Sequence, residues 1–432
     1  MEPQLFTLKN GLRVILIDTK TFPSLTTLLL FDAGSRYENK ENNGIAHFLE
    51  HMPFKGTKKY PDAFAISSTI EGLGGVFNAF TSKDYTGFWI KGTADHFDTE
   101  IDVLADLIQH PLLDPTEIER EKGVIVEEIN MYEDMPQDQV GNLFENLIYS
   151  GNSLGFDTIG TKKTVRSFTR ETFLDYLKRF YVATNAVLIV AGGFSSANSN
   201  GRTFKSYLEL IEKKFGSWTT GVKGKIVMAE DHQEKPQILI RKKNTEQAHF
   251  CLGFPAFSFF DPRKYTLSVL SAILGGGASS RLFMELREKR GLCYYIGTGR
   301  QLYQDVGNVV TQAGVPKELD KVREAVEVIL EIHQEFKRGK LKKEDMERAK
   351  EQLKGRMLLS MEDSFNVAHF FGKKKVLENK MGTIQEEISK LKAVTYDEII
   401  ALSQELFKLE KLNFTIIGPF EENAIKTEDF SL

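Results

Sequence analysis

The chain has 432 residues, of which 41% are hydrophobic and 27% charged, with a formal net charge of −4. That length predicts two domains of roughly 200 residues each with ample core, and no low-complexity tract argues for long disorder. An acidic balance excludes the basic footprint that phosphate-backbone binding requires, so nucleic acid is not an expected partner.

In chain order, "GLRVILI" and "SLTTLLLFDAG" read as β-strands bounded by Gly, Asn and Pro. The amino terminus moves straight into that alternation without the basic and apolar regions of a secretory signal. With only Cys251 and Cys293 present there is no disulfide framework, and a reducing, cytoplasmic location is expected. The longest apolar runs fall far short of the roughly 20 residues that span a bilayer, so no membrane partner is expected.

A helix is predicted from about Asn43, carrying Ile45, Phe48, Leu49 and Met52 at helical spacing and closed by Pro53 and Gly56. A second helix runs from about Asp62 to Glu71, and "LGGVFNAFTSKDYTGFWIKGTA" follows as a hairpin. Phe97, Ile101, Leu104 and Ile108 mark the apolar face of the next helix. Then "DPTEIEREKGVIVEEINMYEDMP" offers Asp114 as N-cap, Pro115 at the first helical position and Glu117 three residues after the cap, with Pro136 as the expected stop. "TRETFLDYLKRFYVATNAVLIVAGGF" predicts a helix and a buried strand, "SSANSNGRT" a polar loop, and the Gly- and Lys-containing stretch from Gly216 a linker. The expected domains are therefore residues 1–219 and 220–432.

Beyond the linker the plan recurs. "EIEREKGVIVEEINMYEDMP" is similar to "DMERAKEQLKGRMLLSMEDS", and "SKDYTGFWIKGTA" to "YQDVGNVVTQAG", at offsets of about 221–228 residues. The expected fold class is α+β: two similar halves, each a mainly antiparallel sheet covered by helices. Aligning the copies sets Arg356 opposite Glu128, and the second half contains no HxxEH. Only the first half can hold a site built on that motif.

The first predicted helix contains "HFLEH", with His47 and His51 four residues apart. One helical turn separates such residues, so both imidazoles can aim at one point about 2 Å from each, as a bidentate clamp on a metal ion. Glu50 leans to the same side, where a carboxylate can take a proton from water activated by the metal. A catalytic zinc needs a third protein ligand, and in "EKGVIVEE" Glu121 and Glu128 are seven apart, nearly two turns, hence on one face. Glu128 is read as the ligand and Glu121 as a supporting carboxylate; Glu127 points roughly 100° away. The plainer alternative is an acid-rich helix that is merely a charged surface.

"GIAHFLEHMPFKGT", "LGGVFNAFTS", "EREKGVIVEEI" and "LGGGASSRLFMELREKRGLCYYI" together resemble the pitrilysin and mitochondrial-processing-peptidase family of inverted-motif zinc peptidases, in its short two-domain bacterial form. The resemblance implies a zinc endopeptidase acting on peptides or unfolded segments within a closed chamber. It implies one Zn²⁺ per chain on His47, His51 and Glu128, rather than Glu127, with Glu50 as general base and Glu121 in support. It also implies that Arg287 and Tyr294 hold the substrate carbonyl and its oxyanion, as hydrogen-bond donors can. The strand containing Asn78, Ala79, Phe80 and Thr81 is implied to pair with extended substrate. Because one chain carries both the zinc motif and the Arg/Tyr pair, a homodimer is expected. The alternatives are the catalytic subunit of a heterodimeric processing peptidase and a non-catalytic peptide-binding relative.

Overall fold

The computed structural model describes residues 2–194, 202–222 and 224–432, and the loop expected at "SSANSNGRT" lies mostly outside them. The first sheet comprises β1 (Gln4–Thr7), β2 (Arg13–Asp18), β3 (Ser24–Phe31), β4 (Val76–Thr81), β5 (Thr86–Thr93) and β6 (Ala186–Gly192), in the order β1-β2-β6-β3-β5-β4. The second comprises β7 (Gln237–Lys242), β8 (Gln247–Phe257), β9 (Tyr295–Leu302), β10 (Val306–Pro316) and β11 (Asn413–Gly418), in the order β7-β11-β8-β10-β9. Leaving β1 aside, the two orders are the same, strand for strand. Each sheet has one parallel pair, β2 with β6 and β7 with β11, and is otherwise antiparallel. This is the α+β architecture of two similar halves.

Strands buried on both faces need a covering layer on each. In the first sheet Leu25, Leu29, Phe31, Leu188 and Val190 enter the main core. Their alternating neighbours meet helices of other origin. The helices that frame the sheets include α1 (Ile45–His51), α2 (Pro115–Glu133), α3 (Pro136–Ile148), α4 (Lys343–Ser360) and α5 (Ser364–Lys373). α5, from the second half of the sequence, packs on β3 and β6. Thr26 and Ser364 hydrogen-bond there, and at Gly372 a Cβ would fall 2.6 Å from Ile189 and 2.7 Å from Leu30. In the second sheet Phe250, Leu252 and Phe254 enter the main core. The intervening Cys251 joins Ile417 under Val140, Leu143 and Phe144 of α3, which comes from the first half. Burial there pushes the Cys251 thiol well up, as for an inert packed side chain.

One compact unit accordingly comprises Met1–Ile129, Phe156–Val227 and Leu359–Gly382, and the other Asn130–Gly155, Met228–Leu358 and Thr383–Leu432. A single expected boundary at residue 220 takes no account of this exchange. Its cause is local: α2 and α4 each run straight into the next helix through links of two or three residues, 134–135 and 361–363. Pro136, expected to end α2, instead opens α3 at a position where a missing N–H costs nothing. Asp114 accepts from the amides of Thr116 and Glu117 at 2.8 and 3.3 Å as the expected N-cap, whereas Glu117 turns to Arg120.

α1 is fixed by its first turn. Gly44 adopts φ +94°, and a Cβ there would lie 2.6 Å from the Ile159 carbonyl oxygen, so glycine alone fits. No side chain caps the helix locally. Instead buried Glu38 accepts from the amides of Gly44 and Ala46, each at 2.8 Å, and from the Asn43 amide nitrogen at 3.0 Å. The Glu38 carboxyl thus meets the donor-rich end of the helix from six residues upstream, and burial pushes its pKa up to about 8 against the lowering effect of those hydrogen bonds. Ile45, Ala46, Phe48 and Leu49 are buried, Phe48 edge-on to Phe173 at 4.9 Å. The opposite face carries His47, Glu50 and His51.

Two outcomes follow. Glu38→Ala orphans the Gly44 and Ala46 amides at the head of α1, leaves Asn43 only its bond to the Asp157 carbonyl, and should lower stability by about 2–4 kcal/mol in urea unfolding, with Glu38→Gln intermediate. His369 on α5 shares a 3.0 Å hydrogen bond with the Tyr85 hydroxyl, and burial, then the Lys373 charge, pushes its pKa down to about 4. A depressed histidine pKa contributes stability that is present above its ordinary value and lost as pH falls toward 4. The urea midpoint should therefore fall between pH 6.5 and 4, and His369→Phe should reduce that fall; an unchanged slope would contradict the assignment.

Candidate metal centre

α2 turns Ile118, Ile125 and Ile129 into the core and sets Glu121 and Glu128 on the side facing α1. The Nε2 of His47 lies 3.6 Å from Oε1 of Glu128, and Nε2 of His51 lies 3.9 Å from Oε2. The imidazole centroids are 4.8 Å apart, and one ligand-capable atom from each of His47, His51 and Glu128 lies within 4.8 Å of the other two. Donors on a tetrahedral zinc with bonds of about 2.0–2.1 Å stand roughly 3.4 Å apart, so the two histidine–glutamate separations lie within about 0.5 Å of that spacing and the group would draw together around such an ion. The donor set of two imidazoles and one carboxylate suits zinc and leaves a coordination position open. Among the described residues, buried Nδ1 of His47 has no hydrogen-bond partner.

His51 is held from behind. Its Nδ1 pairs with Oε1 of Glu121 at 2.9 Å, and the other Glu121 oxygen takes the Lys55 ammonium at 2.6 Å. With Nδ1 engaged by the Glu121 carboxylate, Nε2 is the ring nitrogen left facing Glu128. Burial works to lower the His51 pKa, but the Glu121 hydrogen bond and the charges of Glu50, Glu121 and Glu128 outweigh it and raise it. The Glu128 carboxyl is held low by its contact with His47. Glu121 is also held low, the bonds to His51 and Lys55 prevailing over desolvation. Glu50 is half-buried beside His51.

β4, with Asn78, Ala79, Phe80 and Thr81, is the edge strand of its sheet and packs beside α1. Ala79 is buried, and the Thr81 hydroxyl donates to the Ala46 carbonyl at 3.4 Å. Asn78 Oδ1 accepts the Ala79 amide at 2.8 Å. Arg287 and Tyr294 lie together in the second unit: Arg287 donates to the Tyr294 carbonyl at 2.7 Å, its guanidinium 5.4 Å from that ring's centroid, and Tyr294 is 70% exposed.

Glu38 and Lys55 escaped the sequence reading. Lys55 carried a usable signal, since it follows His51 by four residues as His51 follows His47, and the 3-10 turn Met52–Lys55 continues the helix past Pro53. Glu38 carried none, because it reaches α1 across a loop.

Two family profiles match the chain: insulinase (peptidase family M16) over residues 13–162, and peptidase M16 inactive domain over residues 167–353. The uncharacterized zinc protease YmxG of Bacillus subtilis is 37% identical over 96% of this chain and 98% of its own length. The uncharacterized zinc protease SCO5738 of Streptomyces coelicolor is 30% identical over 96% and 89%. Solved structures share the fold: a protease from Helicobacter pylori, at 24% identity, superposes with a TM-score of 0.88 over 97% of this chain and 100% of its own. An M16-like peptidase from Alicyclobacillus acidocaldarius, at 20% identity, has a TM-score of 0.83 over 97% and 98%. No helix among the described residues is long and apolar enough to cross a membrane. The chain belongs to peptidase family M16, the insulinase and pitrilysin family.

Proposed function

We propose that this protein is a zinc-dependent endopeptidase that hydrolyses peptides or unfolded polypeptide segments within a closed chamber. The observation that carries the reading is the convergence of His47, His51 and Glu128, whose donor atoms all lie within 4.8 Å of one another. Relatives named as zinc proteases support it.

His47, His51 and Glu128 would hold one zinc ion per chain. When bound, zinc supplies Lewis acidity, which polarises a carbonyl and makes water a stronger acid. Glu50, one residue from His51 on the same helix, accepts a proton from the attacking water and returns it to the leaving amine. Glu121 holds the His51 ring through Nδ1. Arg287 and Tyr294 carry the donors suited to charge developing on the carbonyl oxygen. The free edge of β4 takes the substrate as an added strand, which holds backbone with little demand on sequence. On this reading the chain works as a homodimer, Arg287 and Tyr294 of one protomer serving the metal group of its partner.

Cleavage of a quenched peptide library should stop on chelation and return with zinc. Glu50→Gln should retain one equivalent of zinc by elemental analysis yet lose about 100- to 10,000-fold in rate. Cleavage that survives both treatments would exclude the proposal. Mixing Glu50→Gln with Arg287→Ala protomers should restore part of the activity; no recovery would argue for a site completed within one chain or by a different subunit.

A further inference from the structure

We propose that Lys55 is a positioning residue for the metal centre: it holds one oxygen of Glu121 so that the other is aimed at His51. The inference rests on the reading of His47, His51 and Glu128 as metal ligands, and it adds a residue to which that reading gave no role.

The contacts form one chain. Lys55 Nζ lies 2.6 Å from Glu121 Oε2, Glu121 Oε1 lies 2.9 Å from His51 Nδ1, and His51 Nε2 faces Glu128. The terminal torsion of a glutamate is broad and roughly two-fold, so a single bond from His51 would leave the carboxylate free to swing. A second bond on the other oxygen removes that freedom. Water is a poor substitute for it, because the Glu121 side chain is only 3% exposed. An uncompensated buried oxygen is costly, and the carboxylate would relieve that cost by turning away from His51.

Lys55 is itself held. It ends the 3-10 turn that extends α1 and precedes Gly56, whose φ of +144° and close approach to Pro61 (2.6 Å from an added Cβ to the carbonyl oxygen) exclude a side chain. The ammonium therefore approaches Glu121 from a backbone that continues the helix bearing His47 and His51. The rungs His47, Glu128, His51, Glu121 and Lys55 alternate between the α1 extension and α2. An ordinary helix-to-helix ion pair would affect stability alone; a positioning residue affects affinity for the ion.

The test is zinc affinity of the full chain, measured by competition with a chromophoric chelator alongside urea unfolding of the zinc-free protein. Lys55→Met should weaken zinc binding about 10- to 100-fold. Lys55→Arg, which preserves a donor, should recover most of it. In a Glu121→Gln background Lys55→Met should add little, since the two act through one path. Affinity unchanged in Lys55→Met, or effects of the two substitutions that simply multiply, would overturn the inference. A wild-type chain that fails to bind zinc would instead overturn the functional reading beneath it.

Discussion

Two imidazoles one helical turn apart on α1 are kept facing two carboxylates seven residues apart on α2, and the chemistry available to this molecule depends on that opposition. Neither helix achieves it by propensity. α1 is only seven residues long, marginal as an isolated helix, and depends on Glu38 at its amino end and on Phe48 and Leu49 beneath it. α2 is anchored by its isoleucines and offers the carboxylates as the polar remainder. In the absence of a metal the opposition is an electrostatic one: acidic groups held low and a histidine drawn upward against its own burial. A divalent cation replaces whatever protons the imidazoles have taken, so affinity for metal and affinity for protons compete at the same nitrogens.

Among the described residues such a group of ligand-capable side chains occurs once, although the fold has two similar halves. The two sheets share strand order, the parallel pair and an exchanged covering helix, so the second half reproduces every element that frames the centre. It does not reproduce the polar face. The helix Lys264–Gly275, corresponding to α1, is buried from Thr266 through Gly275, and Arg356 stands where Glu128 stands in the first copy. A long burial-driven helix is more stable than a short polar one, and a copy relieved of the metal is free to become that. Framework and chemistry are separable here, as folds and their sites generally are.

The sequence announced what local periodicity can carry. The face bearing His47, Glu50 and His51, the hairpin of β4 and β5, the Asp114 cap and the Glu121/Glu128 spacing are all short-range patterns, and each has its expected place. The exchange of α3 and α5 was not legible, because an amphipathic stretch reveals that it has an apolar face and not which sheet receives it. Pro136 illustrates the ambiguity within a single residue: the ring that cannot continue one helix is equally suited to begin the next. Glu38 lay beyond reach for the same reason, since its partners are set by the route of a loop, whereas the spacing of Lys55 after His51 showed its face but not the carboxylate it meets across two helices.

The position of β4 beside α1 ties the sheet to the centre. A free sheet edge invites pairing with other chains, and natural proteins usually blunt it. Here the Asn78 side chain occupies the Ala79 amide, which identifies that amide as edge-facing and satisfies it while no partner strand is present. On the proposed reading a peptide arriving at this edge exchanges an internal hydrogen bond for a main-chain one, so pairing orphans no polar group on the protein. The Thr81 contact to the Ala46 carbonyl fixes the strand against the first turn of α1, one residue from His47. On that same reading an extended backbone laid along β4 would be held in register with the histidine helix, the alternation of the strand setting which carbonyl is presented to it.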